Sequence, residues 1–360
     1  MKRIGAGRNH TLIVNDDGSL WACGDNSHSQ LGKKHSLFDC RQAKLKKVKG
    51  IPDIRAVCSS RLASFFIDNE DCVWVCGENT YGQLGVNKRA NRVDCPTKLK
   101  NIPGACSVVS YYRHSLLLDE EGNVWSTGEN ERGQLGLGDN VKRLCPEKIE
   151  GLPPIKSISC GSHFSMFLDF NGNVWYAGDI KMKTNQYRCN KPALISGLES
   201  IRQTFSGSFH SVCINEKGQV ISFGQMNGVC KDIEIHDIDL PPMVNASITY
   251  SRSLFIDHQG TLWGIGRDVF NDFPSGLSKF SYAPTEHRME ESIAPFIALS
   301  SGFSHTILVS SDGSVYTTGN NEKGALGLGS IKSPVCKLNK IPNLSVLEDA
   351  VHTTKSARNV

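Results

Sequence analysis

The sequence predicts an all-β protein, a seven-bladed β-propeller whose four-stranded antiparallel blades are closed into a ring by the N- and C-terminal segments. The first observation is repetition, because seven times an apolar stretch ends in a glycine followed by a polar, usually Asn-rich turn. Neighbouring anchor glycines differ by 53 residues at most (77 − 24) and 42 at least (266 − 224), the period of one small sheet with its connections. The second observation is that no segment long enough to form a helix shows helical periodicity. The anchors are Gly24, Gly77, Gly128, Gly178, Gly224, Gly266 and Gly319.

Each copy begins with two strands joined by a tight turn. In the first copy, apolar residues alternate with others over residues 11–14 and 20–23, the period of a pleated strand. The turns at 119–122 and 169–172 have Asp first and Gly last, which is typical of a type I turn whose first side chain accepts backbone hydrogen bonds. Asp71 takes the place of the glycine in the second copy.

Each copy continues through a glycine-rich loop into two further strand segments, which are joined by a linker. A short strand carrying Pro or Cys, as at 145–149, is followed by a linker, as at 151–155, and by another strand, as at 156–159. Four short strands per copy make one blade, and seven blades close a ring without exposed sheet edges.

The two ends of the chain predict how the ring closes. Residues 2–6 correspond to the inner-strand part of a copy, whereas residues 341–347 match the linker and inner-strand start seen at 51–57. We therefore expect both ends to meet in one closing blade. The expected organisation is a single propeller domain over residues 1–352 with a tail over residues 353–360.

The loop after the anchor glycine carries a recognisable motif. Gly-Glu-Asn-x-x-Gly-Gln-Leu-Gly occurs at 77–85 and 128–136, and His114-Ser115 stands fourteen residues before Gly128. This pattern resembles the repeat of the regulator of chromosome condensation family, and the resemblance spans the chain. Copies one, two, three and seven keep the loop signature and form one continuous arc of the ring. Trp-Asp dipeptides and paired-glycine kelch signatures are missing, which disfavours those propeller classes.

Composition excludes several classes of function. The formal net charge is only +4, so bulk charge does not indicate nucleic acid, and no apolar run approaches the length of a membrane span. The start of the chain leads directly into repeat sequence, so no signal peptide is expected. The thirteen cysteines include no Cys-x-x-Cys pair and many recur at one repeat position, so we expect no disulfides and no metal cluster. We expect a monomer in the cytoplasm, the nucleus or both, not a secreted protein.

A recurring histidine is the most tempting catalytic or metal-binding candidate. It stands at His10, His114, His210 and His305. We favour a structural role, because a buried imidazole beside a tight loop usually bonds neighbouring polar groups; Ala63, Phe164 and Arg252 fill the same place in other copies. The tryptophans three residues before the anchors are expected to pack between adjacent blades. No phosphate loop, nucleophile elbow or His-Glu-x-x-His motif occurs, so we expect no catalytic residues, no cofactor and no enzyme activity.

The loops joining the first two strands of each blade are the most informative candidate site, because all of them emerge on one face of the disc. None carries Asp or Glu, and the longer loops on that face are more basic than acidic, whereas the turns on the opposite face are acidic. Arginine with aromatic side chains suits an acidic partner surface. The predicted partner-binding residues are Arg8, Asn9, Arg61, Tyr112, Arg113, His163, Phe209, Arg252 and Phe303.

The resemblance implies three functions: nucleotide exchange on the small GTPase Ran, chromatin attachment, and protein docking. Exchange in the family uses acidic and polar residues in the first-face loops together with a wedge from one blade, and these acidic members are replaced here, several of them by Arg. Chromatin binding in the family relies on a basic N-terminal tail, with which this chain does not begin. The sequence therefore favours a non-catalytic protein-interaction platform. Guanine nucleotide exchange on a Ran-like small GTPase is the alternative, and chromatin or nucleic-acid binding is a further one.

Overall fold

The computed structural model contains only β-strands among the residues that it describes, and these form seven four-stranded antiparallel sheets. The described residues are 2–34, 40–87, 90–100, 102–181, 186–224, 236–250, 252–266, 281–287 and 293–347. Each sheet is built from four strands that are consecutive in the chain. The predicted seven-bladed, four-stranded architecture is therefore confirmed.

The blades are numbered in chain order. Blades 1 and 2 comprise β1 Ile4–Ala6, β2 His10–Val14, β3 Leu20–Asp25, β4 Arg41–Lys47, β5 Ile54–Ser59, β6 Ala63–Asp68, β7 Val73–Glu78 and β8 Arg92–Lys98. Blades 3 and 4 comprise β9 Ser107–Tyr111, β10 His114–Leu118, β11 Val124–Gly128, β12 Arg143–Lys148, β13 Ile155–Cys160, β14 Phe164–Asp169, β15 Val174–Lys181 and β16 Gln186–Leu194. Blades 5 to 7 comprise β17 Ile201–Ser206, β18 His210–Asn215, β19 Val220–Gly224, β20 His236–Ile238, β21 Met243–Ile248, β22 Arg252–Asp257, β23 Leu262–Gly266, β24 Ser281–His287, β25 Phe296–Ser301, β26 His305–Ser310, β27 Val315–Gly319 and β28 Val335–Lys340.

The first strand of each blade lines the axis of the ring. β1, β5, β9, β13, β17, β21 and β25 contact one another in that order, and β25 contacts β1. The hydrophobic core is accordingly divided into seven clusters, each shared by two adjacent blades. The cluster between blades 1 and 2, for example, joins Leu12 and Leu20 to Val57 and Phe66, with Trp74 packed against it. Tryptophan therefore packs between blades, as predicted.

The turn between the second and third strands is held by its first residue. Asp119 accepts hydrogen bonds from the backbone N–H groups of Glu121 at 3.1 Å and Asn123 at 2.8 Å, and its other oxygen accepts from the Trp125 indole at 3.2 Å. Asp71, which replaces the turn glycine in blade 2, has a φ of 64°. Asp adopts this left-handed conformation more readily than most residues, so both sequence interpretations of the turn are confirmed.

Both chain ends meet at blade 1, as predicted. The N–H of Asp16 donates to the carbonyl of Ser345 at 3.1 Å, as Glu216 donates to Ser200 at 2.9 Å ahead of the inner strand of blade 5. The C-terminal segment thus stands where the inner strand of blade 1 begins, and its buried Val346 joins the core cluster between blades 7 and 1. It adds no strand among the described residues, because β1 already occupies the inner position. The predicted tail at 353–360 lies outside the described residues.

No helix in the described part of the chain is long and apolar enough to cross a membrane.

In six of the seven blades, the anchor glycine directly follows a register shift in the pairing of the third strand with the fourth. Gly128 has a φ of 109°, and a Cβ there would lie 2.4 Å from the carbonyl oxygen of Arg113. All seven anchors have φ between 104° and 117°. Only glycine combines this conformation with so close an approach to the neighbouring strand's backbone, which is why the anchors recur in the sequence.

We predict that Gly128→Ala lowers the free energy of unfolding more than Gly151→Ala does. Gly151 also has a positive φ, 81°, but a Cβ there would have no heavy atom within 4 Å. The backbone strain alone should cost about 1–2 kcal/mol in each variant, and the clash should add about 1–3 kcal/mol at Gly128. Denaturant titration of both variants measures the difference. Equal losses would contradict this role of the anchor.

Candidate protein-docking face

The seven loops between the first and second strands of the blades converge around the axis on one side of the disc, here called the loop face. Neighbouring loops are tied by backbone hydrogen bonds: the N–H of Arg8 donates to the carbonyl of Arg61 at 3.1 Å, and that of Phe303 donates to Gly7 at 3.3 Å. A third such bond joins Ser162 of blade 4 to Ser208 of blade 5 at 3.0 Å. These bonds fix side chains from different blades around one opening.

The opening contains a cavity of about 350 Å³. Six of the nine predicted partner-binding residues line it, together with small hydroxyl side chains from the inner strands. Those six are Arg8, Arg61, Tyr112, His163, Phe209 and Phe303. Tyr111 lies at the same opening and bonds through its hydroxyl to Ser208 of blade 5 at 2.7 Å. The structure thus brings residues separated by almost 300 positions into one site.

An aromatic arc crosses blades 5, 6 and 7 at the opening. The ring centroids of Phe209 and Tyr250 are 5.9 Å apart, and those of Tyr250 and Phe303 are 6.4 Å apart. Tyr250 is 45% exposed and Phe303 is 52% exposed. Large apolar side chains exposed next to one another are characteristic of binding surfaces.

Two arginines continue the arc through blades 1 and 2. The guanidinium of Arg8 lies 5.7 Å from the ring centroid of Phe303, and that of Arg61 lies 4.8 Å from that of Tyr112. Neither forms an ion pair with a carboxylate of the described residues. Stacking orients both guanidinium groups, and no carboxylate of the described residues neutralises their charge.

Asn9 and Arg113 lie outside the cavity. The carbonyl of Asn9 accepts a hydrogen bond from the N–H of Asp25 at 2.8 Å. The guanidinium of Arg113 lies 4.2 Å from the ring centroid of Tyr81 and bonds to Glu129 at 2.9 Å. Arg113 is therefore engaged by an internal carboxylate, unlike Arg8 and Arg61.

The prediction that Arg252 belongs to the loop face is wrong. Arg252 is 6% exposed and begins β22, where its guanidinium donates to the Thr306 hydroxyl of blade 7 at 3.1 Å. It takes the place that the recurring histidine has in other blades, so the residue equivalent to Arg8 lies two positions earlier. Tyr250 fills that position. Aligning every loop from the histidine position would have identified it.

Sequence reasoning also missed a set of carboxylates behind the loop face. They directly follow the anchor glycines at Asp25, Glu78, Glu129 and Asp179. Glu129 is 4% exposed and bonds to Arg113, whereas Asp179 pairs with Arg132 at 3.7 Å. The loop face is therefore less uniformly basic than predicted. These carboxylates could have been identified in the sequence, because an acidic residue directly follows four of the anchor glycines.

The recurring histidines are structural, as expected. The Nε2 atom of His10 lies 3.0 Å from the Ser64 hydroxyl of blade 2, which donates its own proton to the carbonyl of Gln30 at 2.7 Å. Nε2 must then be the donor, so His10 is a neutral link between blades. Burial lowers the pKa of His10 to about 4 and that of His114 to about 3. Among the described residues, no three His, Cys, Asp or Glu side chains are grouped to hold a metal ion.

The chain matches known proteins along these same repeats. Models of the regulator of chromosome condensation (RCC1) repeat match residues 70–118 and 121–168, and a second set matches residues 1–30, 105–134 and 296–325. The X-linked retinitis pigmentosa GTPase regulator homolog of Caenorhabditis elegans is 26% identical over 340 residues, covering 91% of this chain and 24% of that protein. The human regulator of chromosome condensation is 30% identical over 165 residues, covering 42% of this chain and 38% of that protein.

A solved structure shows the same fold. Prp20p from Saccharomyces cerevisiae superposes with a TM-score of 0.78 at 19% identity, covering 95% of this chain and 87% of that one. The protein is thus a seven-bladed propeller with a loop-face opening. It carries repeats of the regulator of chromosome condensation family over residues 1–30, 70–168 and 296–325. The chain spans about a quarter of the length of the worm relative and 38% of the human one.

We predict that the free energy of unfolding falls as pH drops from about 6.5 to about 4, partly through the buried histidines. Burial lowers the pKa of His210 to about 4, whereas an unfolded histidine titrates near 6.5. The unfolded state therefore binds more protons in this window, and stability that is complete above pH 6.5 is lost towards pH 4.

His210→Gln should reduce the slope of unfolding free energy against pH in this window, by up to one proton, in denaturant titrations at several pH values. His258→Gln, which removes an exposed imidazole, is the matched control. A slope that His210→Gln leaves unchanged would show that the inter-blade histidine does not contribute.

Proposed function

We propose that this protein is a non-catalytic interaction platform whose loop face binds an acidic surface of a partner protein. The observation that carries the proposal is the pair Arg8 and Arg61, which are stacked on aromatic rings at the opening and form no ion pair with a described carboxylate. The exposed rings of Tyr250 and Phe303 stand beside them. Arginine and aromatic side chains together are typical of the residues that dominate binding energy in protein interfaces.

The ordered scaffold supports this function. Backbone hydrogen bonds join neighbouring loops between blades 1 and 2, 4 and 5, and 7 and 1, and buried contacts between blades add to them. A partner that docks here needs little ordering of the loops, so less of the interaction free energy is lost as entropy. Recognition then depends on matching shape and charge and requires no covalent step. A monomeric state and a cytoplasmic or nuclear location stay predictions.

Guanine nucleotide exchange on a Ran-like small GTPase is the second candidate, and one observation favours it. In blade 4 the pairing of β15 with β16 continues past Gly178 to Lys181 and Gln186, whereas in blades 1 and 2 the pairing ends one residue after the anchor glycine. Such an extended hairpin on the loop face is where a wedge would act. The worm relative is named as a GTPase regulator homolog, and Glu129 and Asp179 supply nearby carboxylates. Exchange would proceed by stabilising the nucleotide-free GTPase.

We predict that Tyr250→Ala/Phe303→Ala and Arg8→Glu/Arg61→Glu each strip specific partners from the protein. Losing the apolar contact or reversing the charge should lower recovery of the bound proteins by about tenfold or more, since residues at the centre of an interface contribute about 2 kcal/mol or more. Quantitative mass spectrometry of cross-linked affinity captures measures recovery.

Lys217→Glu, an exposed charge reversal in a turn on the opposite face, is the matched control and should keep the same partners. Circular dichroism and thermal unfolding verify that each variant is folded. Partners that remain bound to both double variants would remove the loop face from the proposed function.

We predict that the protein leaves nucleotide release from purified small GTPases at its intrinsic rate. A platform without exchange activity binds at the loop face but does not stabilise the nucleotide-free state. Release of a fluorescent guanine nucleotide from a panel that includes Ran measures this. Acceleration by tenfold or more that disappears when residues 180–187 are replaced by a Gly-Ser turn would establish the second candidate and contradict the first.

A further inference from the structure

The cavity at the opening is lined by loop residues, so an occupant can enter it from the loop face. Tyr111 reaches from blade 3 to blade 5, where its hydroxyl bonds to Ser208 at 2.7 Å, and both residues line the cavity. The volume of about 350 Å³ is at the lower end of the range of ligand pockets. It accommodates a few side chains and not a folded element.

The two walls of the pocket differ in chemistry. The wall from blades 5 to 7 is the aromatic arc of Phe209, Tyr250 and Phe303. The wall from blades 1 and 2 presents the guanidinium groups of Arg8 and Arg61 on adjacent, hydrogen-bonded loops.

Beside these arginines, Ser60 lines the cavity and is 4% exposed, and its buried hydroxyl has no hydrogen-bond partner among the described residues. A buried hydroxyl without a partner costs free energy, so an acceptor on the occupant would stabilise the site.

The chemistry of these walls points to a peptide and not to a small anion. An occupant of the cavity alone would leave the outward parts of Tyr250 and Phe303, which are 45% and 52% exposed, in water. A chain that continues over the rim covers them. The positive charge at the opening is two guanidinium groups, because burial lowers the pKa of His163 and keeps this imidazole neutral at physiological pH. The two guanidinium groups and the Ser60 hydroxyl together match the hydrogen-bonding capacity of one carboxylate.

We propose that the pocket binds a short linear segment of the partner in which an Asp or Glu side chain enters between Arg8 and Arg61 while a neighbouring large apolar side chain packs on the Phe209–Tyr250–Phe303 arc. This inference rests on the proposed function and names the element of the partner that the loop face recognises. The acid fixes the segment at the arginine wall, and the apolar residue supplies buried area at the opposite wall.

A displayed library of random heptapeptides, flanked on both sides by Gly-Ser so that no chain end is offered, tests the proposal on the immobilised full chain. The expected consensus is an acidic residue within two positions of Phe, Trp, Leu or Ile. A fluorescein-labelled peptide of the enriched sequence is then measured by fluorescence anisotropy. Arg61→Gln and Tyr250→Ala should each weaken its binding about tenfold or more, and Arg61→Lys should restore only part of the loss because Lys keeps the charge but not the fork.

Lys323→Glu, an exposed charge reversal in a long loop of the same face, should change the affinity less than twofold if the acid binds at the opening. A peptide with Gln for the acidic residue should lose affinity as Arg61→Gln does, and the two losses should not add. A consensus that is basic or lacks acid, or equal effects of Lys323→Glu and Arg61→Gln, would overturn the inference.

Two further outcomes separate this inference from the function on which it rests. If no consensus is enriched while Tyr250→Ala/Phe303→Ala still strips captured partners, the linear-segment proposal fails and the platform stands. If neither peptide enrichment nor partner capture depends on the residues of the opening, both the linear-segment proposal and the platform proposal fail. A phosphoserine peptide that binds more than tenfold tighter than its Asp or Glu counterpart would replace the carboxylate by a phosphorylated segment and so also overturn the inference.

Discussion

The fold depends on a buried hydroxyl through which six of the seven second strands bond to the preceding blade. Ser64 donates to the loop carbonyl of Gln30 and accepts from His10, so one small side chain joins the second strand of a blade to both the loop and the second strand of its neighbour. Thr11 makes the same link across the closing seam, donating to Ala325 at 2.7 Å and contacting His305 at 2.9 Å. The ring is thus held at its seam by the same contact that holds it elsewhere.

This contact also explains why the loops are fixed enough to act as one surface. The hydroxyl and its partners lie directly beneath the loop face, and the anchor glycine brings the third strand against the same backbone. Arg252 occupies the position of the recurring histidine, and its guanidinium bonds between blades 6 and 7 in place of the imidazole. Arg252 is therefore buried and does not contribute to the loop face. Arg8 and Arg61, which lie two positions before the equivalent residues His10 and Ala63 in their own repeats, remain at the opening.

The repeat period, the strand count and the turn chemistry were predictable because each is encoded within about fifty residues. The closure was predictable because residues 341–347 repeat the pattern seen at 51–57. The anchor glycines and the Asp–Trp turns are local requirements of backbone geometry. Contacts between blades were not predictable in the same way: Tyr111 meets Ser208, and Arg8 meets Phe303, only because the ring closes. The prediction for Arg252 was wrong in register. The carboxylates at Glu129 and Asp179 were missed because they follow the anchor glycines and do not lie in the first loop of each blade.

Hydrogen–deuterium exchange of the protein with and without a captured partner tests most directly whether the opening is the binding surface. If the partner binds at the opening, protection should concentrate in peptides covering residues 7–9, 60–62, 249–250 and 302–304. The turns at residues 15–19 and 119–123, on the opposite face, should exchange as in the free protein. Protection confined to those turns or to the outer strands, with the opening unchanged, would contradict binding at the opening.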